Sequence, residues 1–314
     1  MIFDTHAHYD DERFNEDRRE LLGQLPCLCA GRKSSLPDCT RELNGNILSK
    51  AGGCPARGQD DKTCNIGKCG ANTDNTTDGK EDFSFGCVGK VINVASTVDS
   101  IEDCVSLAKE FPHVYAALGV HPSELEGMNE GVIDRIRSLC RLEKTVAIGE
   151  IGLDYYWEKE AEAQENQKHW FIRQLELAKE AELPVVIHSR DAAADTLSIV
   201  KEHAEGLSGV IHCYSYSPEL AREYVKMGYY IGIGGVVTFK NAKKLVQTVE
   251  ETPMERLLLE TDSPYLCPEP HRGSRNDSRE LLYVVKKIAE IKGISEREVE
   301  DITWENACRL FYKV

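Results

Sequence analysis

Eight short apolar runs recur along the chain, at residues 2–6, 91–95, 114–120, 146–150, 184–188, 210–213, 230–234 and 257–262. Several are continuously apolar instead of alternating, the pattern of strands covered on both faces. Charged segments with apolar positions at helical spacing separate them, at residues 12–25, 101–111, 131–142, 160–181, 192–203, 218–227, 242–249 and 279–292. A further helix over 295–312 is opened by Ser295 with Glu298 three residues on, a capping-box signature. Eight alternating strand and helix units predict an α/β fold. A closed (β/α)8 TIM barrel is the favoured architecture, and an open doubly wound sheet is the alternative. At 314 residues the whole chain, 1–314, suits a single barrel domain with room for an appendage.

One stretch breaks the pattern. Residues 27–87 hold nine of the 24 glycines, seven of the 12 cysteines and no valine, too little aliphatic content for a core of their own. They read as a Cys/Gly-rich insertion within the barrel, between the first helix and the second strand. Such a connection lies on the side of a barrel away from its chemistry. Beyond Cys29 the cysteines are widely spaced and no Cys-x2-Cys occurs, which fits a zinc ribbon poorly. Three readings stay open: a surface excursion, a structural zinc or iron–sulfur site, or redox disulfides.

No run of about 18 apolar residues exists, so a membrane span and a membrane partner are not expected. Lys and Arg are absent from the first dozen residues, which does not fit a signal peptide, and the expected location is cytoplasmic. The formal net charge is −15, and the eight basic and eight acidic side chains of residues 27–87 cancel, so the excess lies in the barrel. Taken alone, that charge disfavours a nucleic-acid partner. Carboxylates at a metal site count as negative only until the ions arrive, however, and the ions reverse the local field.

The first strand ends in His6-Ala7-His8. Side chains at i and i+2 of a strand point the same way, so two imidazoles can meet one ion. The fourth run ends at Glu150, the fifth at His188 and the eighth at Asp262, while the sixth carries His212. Barrel chemistry sits at the C-terminal ends of strands, and histidines with carboxylates at five of them point to a metal centre. Imidazole with carboxylate suits Mg, Mn, Fe or Zn better than a thiolate-type site would. Two ions need a bridging group, and Glu150 is the natural one. Two ions about 3.5–4 Å apart polarise a phosphoryl oxygen and activate water. Asp262 is placed to bind metal and to take the water's proton. Glu260 shares its face by the same rule, either supporting a ligand or forming an ion pair in the barrel lining.

Several runs together resemble the TatD family of metal-dependent deoxyribonucleases, within the amidohydrolase-like barrels. They are residues 3–8 (Phe-Asp-Thr-His-Ala-His), 119–122 (Gly-Val-His-Pro), 149–156 (Gly-Glu-Ile-Gly-Leu-Asp-Tyr-Tyr), 188–192 (His-Ser-Arg-Asp-Ala) and 260–266 (Glu-Thr-Asp-Ser-Pro-Tyr-Leu). The resemblance covers about residues 1–25 and 90–314. It implies His6, His8, Glu150 and Asp262 around one divalent ion and Glu150, His188 and His212 around another, with Mg, Mn or Zn as the metal. It implies His121 facing substrate phosphate, with Tyr156 and Arg190 on loops where they can do the same. Arg190 pairing with Asp154 or Asp191, and Tyr156 simply packing, are the ordinary alternatives. After the last strand Arg272, Gly273 and Asn276 fit the family pattern, and Arg272 suits a bidentate phosphate clamp. The family's proline after this asparagine is missing, and the cysteine-rich insertion departs from the family altogether.

The implied function is 3′-to-5′ exonucleolytic hydrolysis of DNA phosphodiester bonds by a metal-activated water, with Asp262 and Glu150 as the catalytic carboxylates. The expected partner is single-stranded DNA or a frayed 3′ end. One rival keeps the binuclear centre but acts on a small amide, lactone or phosphoester. Many binuclear relatives bridge their metals with a modified lysine where this chain has glutamate, which favours the nuclease. A second rival is a non-catalytic metal-sensing or redox-responsive protein, against which the full ligand set argues.

Overall fold

The structure is a computed structural model that describes residues 1–25 and 87–314. The insertion expected at 27–87, with its cysteines and any role it has, lies outside the described residues except for Cys87. Eight parallel strands pair in sequence order: β1 (Ile2–Ala7), β2 (Val88–Val94), β3 (Val114–Leu118), β4 (Thr145–Asp154), β5 (Val185–Arg190), β6 (Gly209–Ile211), β7 (Tyr230–Ile233) and β8 (Leu257–Leu259). A bridge between Ala7 and Ser263, with the Asp262 amide donating to His6 O at 2.9 Å, joins the end of the chain past β8 to β1. The result is the (β/α)8 barrel, not the open sheet. Its helices are α1 (Arg18–Gln24), α2 (Ser100–Glu110), α3 (Glu130–Leu139), α4 (Ala161–Ala181), α5 (Ala193–His203), α6 (Pro218–Lys226), α7 (Lys243–Glu251), α8 (Leu281–Lys292) and α9 (Glu296–Leu310). Among the described residues no helix is long and apolar enough to cross a membrane.

Alternation along the strands sorts side chains between two apolar clusters. Val185 and Ile187 of β5, Ile211 of β6, and Leu257 and Leu259 of β8 join the outer cluster against the helices. Val186, Val210 and Leu258, on the opposite parity, join Phe3 and Ile92 in the inner one. The inner parity, continued upward, brings His188, His212 and Glu260 to the barrel mouth. On β1 a register shift between Asp4 and Ala7 lets His6 share the inner side with Phe3, while Ala7 packs outward. Trp304 and Phe311 of α9 and the end that follows it pack on Phe3, with ring centroids 5.6 and 6.3 Å away. The capping box is formed: the Ser295 side chain takes the Glu298 amide, and Glu298 reaches back to the Ser295 amide.

Two of the departures from the expected strand bounds bear on the site. β4 runs ten residues, past the expected end at Glu150 to Asp154, because Gly152 lets the chain pass against β5. A Cβ at Gly152 would sit 2.0 Å from the His188 carbonyl oxygen, and its φ of +143° excludes most side chains. β8 stops at Leu259, so Asp262 lies beyond the strand instead of ending it.

Candidate metal centre

Of the carboxylates and imidazoles at the mouth, Glu150 is the centre. Its two oxygens face two different groups. Oε2 lies 3.4 Å from His6 Nε2 and 3.7 Å from His8 Nε2. Oε1 lies 2.8 Å from His188 Nδ1, 2.9 Å from His212 Nε2 and 3.5 Å from His121 Nε2. Asp262 Oδ1 closes the first group, 3.8 Å from His6 Nε2 and 3.5 Å from His8 Nε2. His6, Glu150 and His212 converge closely enough to share an ion, as do His6, His8 and Asp262, and a third set of His121, Asp154 and His188. All six expected ligands are therefore brought together. They occupy more varied positions than strand ends: His6 and His188 lie inside their strands, Glu150 in the middle of β4, and His8, His212 and Asp262 just past theirs. Asp262 adopts φ +57°, a left-handed turn that aspartate tolerates, so its aim comes from that turn and not from strand alternation.

The ring protons are set by the neighbours. His8 Nδ1 lies 2.8 Å from the Val94 carbonyl, so it carries the proton and turns the Nε2 lone pair inward. His188 does the reverse: Nε2 faces Asp154 Oδ2 at 3.2 Å, which leaves the Nδ1 lone pair toward Glu150. His121 Nδ1 accepts from the Ser123 amide at 3.1 Å, so its Nε2 carries a hydrogen and enters the site as a donor. Ring nitrogens crowd one another, with His6 Nε2 3.1 Å from His8 Nε2 and His188 Nδ1 3.4 Å from His212 Nε2, while His6 Nδ1 and His212 Nδ1 are buried with no hydrogen-bond partner. Imidazole nitrogens and carboxylate oxygens converging this closely are a donor set that fits a divalent ion.

The electrostatics agree. Burial disfavours the Glu150 carboxylate, yet the imidazoles of His212, His121 and His6 hold it well below the usual carboxylate range. Burial also opposes the imidazolium of His212, but Glu150 lifts it to about 10. His8 rises to about 9 against burial, through Asp262 and Glu150. His6 falls to about 4, through burial and the positive His212. The carboxylates thus draw positive charge into a buried site, the charge that metal ions supply.

Residues beneath the ligands fix their aim. Asp154, Gln167 and Gln174 were not among the expected site residues. Asp154 Oδ1 accepts the amides of Tyr156 and Trp157 at 2.9 and 3.3 Å while Oδ2 faces His188. Gln167 and Gln174, two turns apart on the buried face of α4, pin the main chain at Asp154 and Val120, next to His121. The spacing of Asp154 four residues past Glu150 on one strand face was a usable signal; the two glutamines offered none. Glu260 is buried, accepts the Cys213 amide and lies 3.7 Å from His212 Nδ1, an acid–imidazole contact in the barrel lining made to one of the candidate ligands. Asp4 accepts from Thr261 and Ser278, and Asn276 holds the carbonyls of Thr261 and Tyr265, bracing the loop of Asp262 from both sides.

The remaining expected contacts sit at the rim. Arg272 is exposed with its guanidinium 4.1 Å from the Phe239 ring centroid. Arg190 lies over Tyr156 at 3.9 Å.

A family model described as TatD related DNase matches residues 60–312. The match begins after β1, so the tie between His6, His8 and the site rests on geometry. The uncharacterized metal-dependent hydrolase YabD of Bacillus subtilis is 45% identical over 225 residues, 71% of this chain and 88% of that protein. YcfH of Escherichia coli K12, also an uncharacterized metal-dependent hydrolase, is 37% identical over 220 residues, 70% and 82% of the two chains. The crystal structure of YjjV, a TatD homolog from Escherichia coli K12, superposes with a TM-score of 0.75 at 26% identity, covering 99% of this chain and 98% of that one.

Proposed function

The chain belongs to the TatD family of metal-dependent hydrolases, and from that premise we propose that it is a 3′-to-5′ exodeoxyribonuclease with two divalent ions in its barrel mouth. The observation that carries the proposal is the division of Glu150, one oxygen to His6 and His8, the other to His188 and His212. These residues and Asp262 would hold magnesium, manganese or zinc ions, which would supply polarisation of a phosphoryl oxygen and a lowered pKa for water. The chain's own groups do the rest. Asp262, beside His8, takes the proton of the attacking water. His121 presents its Nε2 hydrogen to a phosphate oxygen. Arg272 clamps the phosphate from the rim. The family description supports DNA as substrate, and the charge of −15 favours a single-stranded or frayed 3′ end over long duplex.

Digestion of 3′-labelled and 5′-labelled single-stranded DNA, in EDTA and with Mg2+, Mn2+ or Zn2+ restored, tests this. The expected result is metal-dependent release from the 3′ end, lost in Asp262→Asn with metal still bound. Full activity of that variant refutes Asp262 as the base. Cleavage of lactones or cyclic amides by a metal-loaded protein that spares all DNA replaces the nuclease with a small-molecule hydrolase.

A further inference from the structure

Of the five large hydrophobic side chains exposed among the described residues, four lie on the two loops that leave the metal ligands: Tyr156 and Trp157 after β4, Tyr265 and Leu266 after β8. Aromatic surface left in water beside a reaction centre marks a place for a ligand. Tyr265 already carries the Arg13 guanidinium 4.1 Å from its ring centroid. Trp157 is the most open of the five, 65% exposed.

The β4 loop is tied to the centre through one carboxylate. Asp154 takes the amides of Tyr156 and Trp157 on one oxygen and faces His188 with the other. The two rings meet edge to face, with centroids 4.7 Å apart at 87°, so Tyr156 buttresses the indole. Arg190, paired in register with Asp154, puts its guanidinium 3.9 Å from the Tyr156 centroid and 5.6 Å from that of Trp157. Lys159 Nζ lies 5.6 Å from Tyr156. An exposed indole beside Arg190, with Lys159 over the neighbouring Tyr156, on an otherwise acidic chain suits a flat, π-faced group attached to phosphate.

We propose that Trp157, buttressed by Tyr156 and Arg190, is a stacking platform for the base of the 3′-terminal nucleotide. The proposal rests on the DNA reading above and deepens it. Stacking engages the face common to all bases, so the platform accepts any base and gives grip without sequence preference.

The test uses the full chain with metal and two 5′-labelled single-stranded oligonucleotides, one ending in a normal 3′ nucleotide and one in an abasic nucleotide. Trp157→Ala raises KM on the base-ended strand by about 5- to 150-fold, the range for one stacked base, with kcat little changed. Wild type shows a similar rise on the abasic end, Trp157→Ala adds nothing there, and Trp157→Phe restores most of the grip. Hydrolysis in which the abasic end carries no penalty, or in which Trp157→Ala weakens both strands equally, overturns the platform alone. Failure of the wild type to hydrolyse either strand overturns the nuclease reading and the platform together.

Discussion

Replacing Asp154 with asparagine changes one atom and reverses a tautomer. Asp154 Oδ1 is held by two amide donors, Tyr156 N and Trp157 N, at 2.9 and 3.3 Å. An asparagine keeps its carbonyl oxygen there, since turning it over would set an NH2 group against two N–H groups. Its nitrogen then faces His188 Nε2, where Asp154 Oδ2 stood at 3.2 Å. Two donors cannot share that contact, so His188 moves its proton to Nδ1, the nitrogen 2.8 Å from Glu150 Oε1. The lone pair aimed at the metal position is lost. Loss of a carboxylate that orients a ligating histidine costs about 10- to 100-fold in metal affinity, or ~1.4–2.7 kcal/mol. Calorimetric titration of Mn2+ into wild type and Asp154→Asn reads the difference, with thermal melting in EDTA as the folding control. A folded variant that binds Mn2+ as tightly as wild type refutes the tautomer argument.

Three further outcomes follow from the same geometry. Gly152→Ala drives a Cβ to 2.0 Å from His188 O at φ +143°, and a cost of ~3 kcal/mol lowers Tm by roughly 6–12 °C in a thermal melt; an unchanged Tm contradicts the close approach of β4 and β5. Burial raises the Asp4 carboxyl from 3.8 to about 6, outweighing its hydrogen bonds from Ser278 and Thr261. The folded chain therefore keeps this proton between about pH 4 and 6 after the unfolded chain has lost it. Stability falls as pH rises through that window, by ~3 kcal/mol. Denaturant unfolding in EDTA should show Asp4→Asn gaining on wild type across the window, and a pH-independent difference contradicts this. Arg272→Ala removes one phosphate contact, so the slope of log affinity against log salt for a single-stranded oligonucleotide shrinks by ~0.7 in anisotropy titrations. A slope equal to that of wild type removes Arg272 from the phosphate path.

The barrel was legible because parallel strands buried on both faces leave continuous apolar runs, and all eight were visible. The inner aim of His188 and His212 follows from simple alternation above Val186 and Val210. His6 does not follow from alternation, because a register shift inside β1 intervenes, and backbone pairing of that kind leaves no mark in the residues. Asp262 was found for the right neighbourhood but the wrong local reason: β8 ends three residues earlier, and a left-handed turn does the aiming. Asp154 reads only as a possible partner for Arg190 while the fourth strand is ended at Glu150. Read through Gly152, the same strand puts Glu150 and Asp154 on one face. Gln167 and Gln174 were beyond reach, since a glutamine on a helix gives no sign of whether it meets solvent or a loop's main chain.

The most direct test of the account is to count the ions in wild type and in Glu150→Gln by elemental analysis of the folded proteins, with hydrolysis measured on the same samples. Two divalent ions per chain in wild type, with at least one ion and nearly all hydrolysis lost in the variant, is the result that the divided carboxylate requires. A Glu150→Gln protein that keeps both ions and its activity contradicts it.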